Sequence, residues 1–342
     1  MINGINQKVT KKLVLVTGAG GFIGSHLTYE LVRRGYKIKV LIKRNETLRN
    51  LQDLVKMHKV EVIKGDLLDK NSLKKACEDV DVVFHIAAKT DLATKSYEPY
   101  YETNYIGTKN LVESCKGNLK KFVFFSSMLA VGLPNSRRKI NENYVGKPQS
   151  YYGLSKRIGE EYLLSEFKKR KFPVVILRPT SVYGPKERIV LSGLFKVIKE
   201  GMFVMIGDGE NLVSYVYVGN VVDAAIKSSR YSKTSGQIYF ISDKKTYKFK
   251  EIIKEIYKVL NKREARITVP FFLAYIGSYC YERLSRLIGK KPIIYPYRVK
   301  TLVLNYPCSI KKAERDFGYN PKINLAEGIK RTRDWYMKEG YI

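Results

Sequence analysis

The stretch Lys12–Gly24, KLVLVTGAGGFIG, joins a short apolar run to a cluster of glycines. Its first part, Lys12–Thr17, is rich in Val and Leu, which predicts a buried parallel strand. The segment that follows, Ser25–Arg34, has apolar residues at helical spacing and stops at Gly35. The glycines of Gly18–Gly24 therefore lie between a strand and a helix, and this context gives a glycine motif its meaning.

Three glycines of this loop, spaced as G-x-x-G-x-x-G, have separate physical roles. Gly18 permits a tight turn, Gly21 lets the backbone approach a pyrophosphate, and Gly24 lets the helix pack closely on the strand. The free N–H groups at the start of the helix favour a bound anion. The loop therefore predicts a dinucleotide site that includes Phe22 and Ile23. A glycine-rich turn without a ligand is the alternative.

The end of the next apolar run, Lys37–Ile42, bears on which dinucleotide binds. NAD enzymes usually place an Asp or Glu there, which binds the ribose 2′-OH. Here the run leads into Lys43 and Arg44, and two cations suit a 2′-phosphate. The sequence therefore favours NADP(H). NAD(H) stays open if both residues are only surface charges of a very basic chain.

Strands and helices alternate along the first half of the chain. Further strands are predicted at Val60–Ile63, Asp81–Ala87, Lys121–Ser126 and Pro173–Leu177, and helices at Ser72–Glu78, Asn104–Cys115 and Tyr152–Arg170. This alternation predicts an α/β fold with a Rossmann-type doubly wound parallel sheet. Residues 10–180 would form the NAD(P)-binding Rossmann domain. Residues 181–342 would form mainly a smaller substrate-binding lobe, with residues around 213–241 returning to the first domain.

The composition limits the classes of protein that fit. The 342 residues are 44% hydrophobic, which allows a packed core and excludes global disorder. With 63 Lys and Arg against 32 Asp and Glu, the net charge is +31, which suggests anionic small molecules or an anionic membrane as partners, or only lysines on solvated helix faces. No nucleic-acid module is recognisable, so no specific nucleic acid is expected. Four dispersed cysteines and the lack of a signal segment or a spanning apolar run predict a cytoplasmic protein without a metal site.

Tyr152 and Lys156 stand four residues apart at the start of a predicted helix, so both project from one face. A nearby ammonium lowers the pKa of a phenol, and such a Tyr can exchange a proton with an alcohol or ketone. The pair Tyr105 and Lys109 has the same spacing. Only Tyr152 follows a strand that ends in serine, at Ser126-Ser127, where a hydroxyl could bind the same substrate oxygen.

Together these motifs resemble those of extended short-chain dehydrogenases/reductases, the NAD-dependent epimerase/dehydratase superfamily. In the order typical of that superfamily the chain has Thr17–Gly24, Gly65-Asp66-Leu67, His85-Ile86-Ala87-Ala88, Asn104-x-x-Gly107-Thr108, Ser126-Ser127, Tyr152–Lys156, Arg178-Pro179, Ile206–Gly209 and Gly318–Pro321. The resemblance covers almost the whole chain. It implies an NAD(P)-dependent enzyme and a homodimer formed through the helices of Asn104 and Tyr152.

The resemblance also implies roles for single residues. Tyr152 resembles the catalytic acid/base, and Lys156 the residue that holds the nicotinamide ribose and tunes that Tyr. Ser127, five residues before Gly132, resembles the donor to the substrate oxygen, and Asn104 the support of a water relay to the lysine. Cofactor contacts are implied for Asp66, Leu67, Ala87 and Pro179. His85 is interpreted as a core histidine.

Departures from the superfamily patterns bear on the reaction. Ser127–Gly132 carries no Asp-Glu pair, which argues against a dehydratase, and Val131 replaces the Tyr usual in epimerases. Leu212–Tyr215 lacks the Arg that holds a sugar nucleotide. The run Gly209–Val218 is more similar to the branch of 3β-hydroxysteroid dehydrogenases, sterol-4-carboxylate dehydrogenases and dihydroflavonol reductases. That similarity implies hydride transfer between nicotinamide and a secondary alcohol or ketone, with a lipid-like or cyclic substrate. The alternative is a nucleotide-sugar 4-epimerase with tightly bound NAD.

The aromatic stretch Pro270–Leu287 lies within a predicted helical segment, Ile267–Ile288. It is interpreted either as core of the smaller lobe, or as an apolar pocket wall or interfacial helix beside lipid. In the latter case the cations Arg283, Arg286, Lys290 and Lys291 would point toward head groups. A peripheral contact with an anionic membrane is therefore an open expectation.

Overall fold

The computed structural model describes residues 12–91, 96–115, 117–264, 267–289 and 296–342. The chain divides into two compact units. The first comprises Met1–Ser126, Ser155–Ile176 and Ser228–Gln237, and the second comprises Ser127–Leu154, Leu177–Lys227 and Ile238–Ile342. The domain limits drawn from the sequence, with a boundary at residue 180, remain predictions.

Strands and helices alternate through residue 179. The strands are β1 (Leu13–Thr17), β2 (Lys37–Ile42), β3 (Glu61–Lys64), β4 (Val82–His85), β5 (Lys121–Phe125) and β6 (Val174–Pro179). The helices are α1 (Phe22–Arg33), α2 (Gln52–Lys56), α3 (Lys70–Cys77), α4 (Glu98–Tyr100), α5 (Gly107–Ser114) and α6 (Tyr151–Arg170). A π-helical segment, Tyr101–Ile106, joins α4 to α5.

The rest of the chain has shorter strands. They are β7 (Ser181–Tyr183), β8 (Met205–Ile206), β9 (Leu212–Val213), β10 (Tyr215–Tyr217), β11 (Gln237–Ile241), β12 (Tyr247–Lys248) and β13 (Thr268–Val269). The helices are α7 (Ser192–Lys199), α8 (Val218–Ser228), α9 (Phe249–Val259), α10 (Phe271–Leu287), α11 (Pro296–Val303), α12 (Lys311–Phe317) and α13 (Leu325–Lys338). Three small two-stranded sheets pair β7 with β10, β9 with β12, and β8 with β13.

A seven-stranded sheet has the order β11-β6-β5-β4-β1-β2-β3. Around β1 the pairing is parallel, with Val14 opposite Ile38 on one side and Val82 on the other. The strands read as continuous apolar runs because helices cover both faces of such a sheet. Residues 14–16 of β1 and 122–124 of β5 have no exposed surface. The predicted doubly wound α/β fold is confirmed.

The direction of the sheet decides where ligands can bind. In an open parallel sheet, ligands bind beyond the carboxyl ends of the strands, where the strand order reverses. Here β1 lies between β2 and β4, so the order reverses at β1. The glycine loop follows β1, Asp66 follows β3 and Ala87 follows β4. This edge of the sheet therefore holds the predicted cofactor residues of the first unit.

Helix α10 contradicts the interpretation of its segment as core. Most of its large apolar side chains are exposed, whereas its buried residues are Ser278 and Ser285. The segment is also not helical throughout, because Thr268–Val269 pairs with Met205–Ile206 as a strand. Among the described residues, no helix combines the length and apolar character that a membrane crossing requires. Lys290 and Lys291 lie outside the described residues.

Candidate active site

The glycine loop has no room for a side chain at two of its positions. Gly18 has a φ of +69°, and a Cβ on it would lie 2.6 Å from the backbone N of Ala87. A Cβ on Gly24 would lie 2.0 Å from the Gly18 carbonyl oxygen. The Gly21 N–H donates to that same carbonyl over 3.1 Å and closes the turn. The roles predicted for Gly18 and Gly24 thus have a steric basis.

The start of α1 suits a negatively charged group. Gly21 caps the helix without a side-chain hydrogen bond, and the first turn contains no acidic residue. The first helical bond joins Ser25 N–H to Gly21 O, so the amides of Phe22 and Ile23 precede the intrahelical ladder. These donors and the helix dipole fit a pyrophosphate, as the loop sequence predicts.

The region after β2 contains an acid that the sequence argument missed. Lys43 Nζ lies 3.3 Å from Asp66 Oδ2, with both side chains about half exposed, and Arg44 is exposed. A Cβ on Gly20 would lie 2.7 Å from Glu46 Oε1, and Asn50 donates to the Gly20 carbonyl over 2.8 Å. Glu46 therefore reaches the glycine loop although it follows β2 by four residues. Only the residues directly after β2 entered the sequence-based prediction, and Glu46 stands further along the chain.

Asn104 lies in the π-helical segment and is almost wholly buried. Its Oδ1 accepts from the Lys89 N–H over 2.7 Å, and its Nδ2 donates to the Lys89 carbonyl and to Ser155 Oγ over 3.0 and 2.8 Å. π-Helical segments of this kind are frequent at functional sites. The structure thus locks Asn104 between the strand-β4 loop and α6.

The two serines after β5 have different partners. Ser126 Oγ donates to Glu160 Oε1 over 2.5 Å, and both residues are buried. Ser127 Oγ accepts from the Leu129 N–H over 3.1 Å and caps a short helical turn, Met128–Ala130. Ser127 also forms a hydrogen bond with Tyr152. Ser127 is therefore the serine that meets the predicted acid/base, and Ser126 is a structural partner of Glu160.

The pKa of Tyr152 differs from the expectation. Burial raises it to about 12, and the hydrogen bond with Ser127 only partly opposes this shift. The lowered pKa expected from the neighbouring Lys156 is therefore wrong for Tyr152, because desolvation outweighs the hydrogen bond with Ser127. The phenol therefore carries its proton throughout the physiological pH range.

Lys156 is almost wholly buried, and its ammonium is held by its own unit. Its Nζ donates to the Phe125 carbonyl over 2.7 Å and lies 4.9 Å from the centre of the Phe124 ring. Burial lowers the pKa of Lys156 to about 7, while the Glu160 carboxylate opposes the shift. Glu160 was not identified from the sequence, although it stands one helical turn after Lys156.

Replacing Glu160 with Gln is expected to make Lys156 lose its proton at a lower pH, because a charge that favours the ammonium is removed. If the ammonium holds the nicotinamide ribose, NADH binding weakens as pH rises through this pKa, and the variant should weaken earlier. Fluorescence titration of NADH between about pH 6 and 9 measures this. The matched control is Glu161→Gln, since Glu161 is exposed and pairs with Arg157. Coincident profiles for both variants would contradict the role of Glu160.

The remaining predicted contacts have ordinary structural partners. The Ala87 N–H donates to Thr17 Oγ1 over 3.2 Å, Leu67 packs on Gly107, and Pro179 ends β6 in a buried position.

His85 is buried, and its ring nitrogens lie 2.7 Å from Thr17 Oγ1 and 2.9 Å from Thr108 Oγ1. Burial, followed by the charge of Lys156, lowers the pKa of His85 to about 3. The interpretation of His85 as a core histidine is confirmed.

Known proteins are similar to this chain in both sequence and fold. The profile of the 3-beta hydroxysteroid dehydrogenase/isomerase family matches residues 15–271. Mouse (Mus musculus) sterol-4-alpha-carboxylate 3-dehydrogenase, decarboxylating, is 28% identical over 94% of this chain and 90% of its own. The N-acetyl-alpha-D-glucosaminyl-diphospho-ditrans,octacis-undecaprenol 4-epimerase of Escherichia coli is 29% identical over 93% of each chain.

A solved structure extends this likeness to the fold. UDP-glucuronic acid 4-epimerase from Bacillus cereus, solved in complex with NAD, is 25% identical and covers 96% of this chain and 100% of its own, with a TM-score of 0.77. The family profile spans three quarters of the chain and includes the glycine loop, Ser127, Tyr152 and Lys156. The chain therefore belongs to the 3-beta hydroxysteroid dehydrogenase/isomerase family and is an enzyme of the extended short-chain dehydrogenase/reductase type.

Proposed function

We propose that this enzyme transfers hydride between a nicotinamide cofactor and a secondary alcohol or ketone, and that the substrate is lipid-like or cyclic. The observation that carries the proposal is the hydrogen-bonded pair of Ser127 and Tyr152, in which the phenol is neutral. A neutral phenol beside a second hydroxyl can donate to a carbonyl oxygen and protonate it.

The chemistry of the chain's own residues is proton transfer and positioning. Tyr152 gives its hydroxyl proton to the substrate oxygen during ketone reduction and takes it back during alcohol oxidation. Ser127 donates a hydrogen bond to the same oxygen and fixes its place. Lys156, held against the Phe125 carbonyl, binds the ribose. When bound, the nicotinamide supplies or accepts the hydride.

The residues that would hold this cofactor fit it sterically and electrostatically. Gly18 and Gly24 leave no room for side chains, and the first turn of α1 presents backbone amides and contains no acidic residue. The B. cereus relative holds NAD, which supports NAD(H) here. The preference for NADP(H) would rest on Lys43 and Arg44. Asp66 lies 3.3 Å from Lys43, and this carboxylate reduces the positive charge available to a 2′-phosphate.

The substrate class rests on the relatives and on absences around Ser127. The names of the mouse and E. coli relatives contain a sterol and undecaprenol, both of which are lipids. No acid follows Ser127 before Gly132, so the chain lacks the pair that eliminates water in dehydratases. Val131, at the position of the epimerase Tyr, is buried. These points support oxidoreduction of a lipid-like alcohol or ketone.

A 4-epimerase is the second candidate, because two of the similar proteins are 4-epimerases. Such an enzyme would use the same Tyr152 but retain its NAD through each cycle. The E. coli relative has a lipid-linked sugar in its name, so a lipid-like substrate is compatible with both candidates.

One experiment separates the candidates and the cofactors. The purified protein is denatured to release any retained nucleotide, and a second sample is titrated with NADH and NADPH. An empty site that exchanges NADH, followed by NADH-dependent reduction of a cyclic or long-chain ketone, is the expected result. Tighter binding of NADPH than of NADH would establish the preference drawn from Lys43 and Arg44. Retained NAD with interconversion of sugar epimers would overturn oxidoreduction.

We also propose an oligomeric state and a cellular location for the enzyme. We expect a homodimer formed through the helices that carry Asn104 and Tyr152, in the cytoplasm. Light scattering of the purified protein checks the first expectation, and cell fractionation checks the second.

A further inference from the structure

Helix α10 has the reverse of the pattern normal for a surface helix. Its inward positions hold small or polar residues, Ala274, Ser278 and Ser285, of which both serines are buried. Its outward positions hold aromatic and aliphatic side chains. A helix that only covered a core would direct its apolar face inward. The outer face of α10 is therefore built for contact with an apolar medium.

This outer face is large and continuous. Its side chains are between 38% and 82% exposed: Phe271, Phe272, Leu273, Tyr275, Ile276, Tyr279, Tyr281, Leu284, Leu287 and the following Ile288. Exposed Ile267 precedes the helix, and its carbonyl accepts from the Met205 N–H beside exposed Val204. Scattered exposed apolar residues are normal, but a contiguous patch marks an interaction site. We call this set the α10 surface.

The length and charge of α10 suit a helix that lies in an interface. Seventeen residues extend over about 25 Å, and a spanning helix needs about 20 apolar residues. The first ten residues, Phe271–Cys280, carry no charge. The only charged residues of α10 are Glu282, Arg283 and Arg286, near its C-terminal end. An aromatic, uncharged first half with cations behind it is typical of helices that enter the boundary between head groups and acyl chains.

Charge indicates whether the α10 surface binds a second copy of the chain or a lipid surface. Two copies that met through this face would bring the exposed cations beside it, such as Arg283, Lys262 and Arg263, against their counterparts, and this local repulsion opposes pairing at α10. Exposed cations also lie close in sequence to residues beside the α10 surface. Lys196 and Lys199 precede the loop with Val204, and Lys262 and Arg263 precede Ile267. An anionic lipid surface satisfies both the apolar face and the cations.

We propose that the α10 surface docks this enzyme onto an anionic phospholipid bilayer, with α10 lying parallel to the membrane plane. The outer side chains enter the acyl boundary, while Arg283 contacts lipid phosphates and Arg286 stays paired with Glu282. Docking of this kind goes beyond the proposed reaction and does not depend on it. It would hold for an oxidoreductase and for an epimerase alike.

The chain contains its own probe site for this proposal. Of the four cysteines, Cys280 on α10 is exposed, whereas Cys77, Cys115 and Cys308 are buried. A polarity-sensitive thiol dye on Cys280 of the full-length protein therefore reports on α10. Vesicles of phosphatidylcholine with roughly one phosphatidylglycerol in three lipids should shift the emission to the blue. Pure phosphatidylcholine vesicles and added salt should weaken the shift, because the cations no longer contribute. The unlabelled protein should float with the anionic vesicles.

A matched pair of variants tests the residues themselves. Phe272→Ser/Ile276→Ser/Leu284→Ser should lower the vesicle partition coefficient at least about tenfold, because three exposed apolar side chains that would enter the bilayer are lost. The control Met57→Ser/Val145→Ser/Met337→Ser removes side chains of similar exposure elsewhere and should bind as the wild type does. Thermal unfolding confirms that both variants are folded. Absence of wild-type binding to anionic vesicles would overturn the proposal, as would a dimer that only the α10 variant disrupts without any vesicle binding.

Discussion

A Tyr152→Phe enzyme is expected to bind NADH as the wild type does and to turn over at least about 100-fold more slowly. Phe keeps the ring and its packing, but it removes the hydroxyl that donates to the substrate oxygen. The hydroxyl of Ser127 remains and can still position that oxygen. The loss should therefore appear in kcat, with a smaller change in KM.

The direction of the pKa shift adds a second expectation for Tyr152. Because burial raises the pKa to about 12, the protonated phenol is the dominant form at every pH at which the protein is handled. Ketone reduction needs this protonated form, so its rate should not fall through ionisation of Tyr152 between about pH 6 and 9. Alcohol oxidation needs the phenolate and should accelerate as pH rises.

The control for this substitution lies one residue away. Tyr151 is exposed and also begins α6, so Tyr151→Phe removes a hydroxyl from the same helix without touching the proposed chemistry. Its turnover should match that of the wild type. Full turnover by Tyr152→Phe would remove Tyr152 from the mechanism, whichever substrate is used.

The sequence predicted the first unit closely because its signals are local. The second apolar run, Lys37–Ile42, coincides with β2. The glycine loop lies between β1 and α1, and Gly18 and Gly24, which have no room for a Cβ, restrict its turn geometry. The predicted helix Asn104–Cys115 instead starts within a π-helical segment that begins at Tyr101. An insertion in a helical ladder has no periodicity of its own, so the sequence could not reveal it.

The second unit was harder to predict because its pairings are short and distant. Residues 213–218, the apolar end of the run Gly209–Val218, are divided between β9, β10 and the start of α8. Its partners lie at Tyr247 and Ser181, and contacts between such distant segments leave no pattern in a short window. Helix α10 shows a related limit. Composition identified it as apolar, but only the positions of Ser278 and Ser285 reveal which side faces inward.

The candidate site was likewise predictable where residue type fixes the chemistry. Ser127, Tyr152 and Lys156 follow from a motif and its context, and the structure joins Ser127 to Tyr152 by a hydrogen bond. Glu46 and Glu160 were not identified from the sequence, because the role of an acidic residue depends on the groups that it contacts in the folded chain. Burial was also invisible, so the direction of the Tyr152 pKa was predicted wrongly.

Gly24→Ala is expected to abolish detectable NADH binding and to lower the free energy of unfolding by about 2–3 kcal/mol. The added Cβ would lie 2.0 Å from the Gly18 carbonyl oxygen and 2.9 Å from the Ala19 Cα, both backbone atoms. A flexible side chain could move aside, but here the whole loop must shift. The N–H groups at the start of α1 then no longer converge on one pyrophosphate. NADH titration and thermal unfolding measure the two effects.

Substitutions at two other glycines provide the comparison variants for this experiment. Gly117→Ala meets nothing within 4 Å and should leave both binding and stability as in the wild type. Gly20→Ala meets the side chain of Glu46, which can move, so the protein should remain folded and bind NADH more weakly. If Gly24→Ala fails to fold, Gly20→Ala still tests whether the loop holds the cofactor. Wild-type affinity in both loop variants would show that the nucleotide binds elsewhere, because the clash of Gly24→Ala with backbone atoms cannot be relieved without moving the loop.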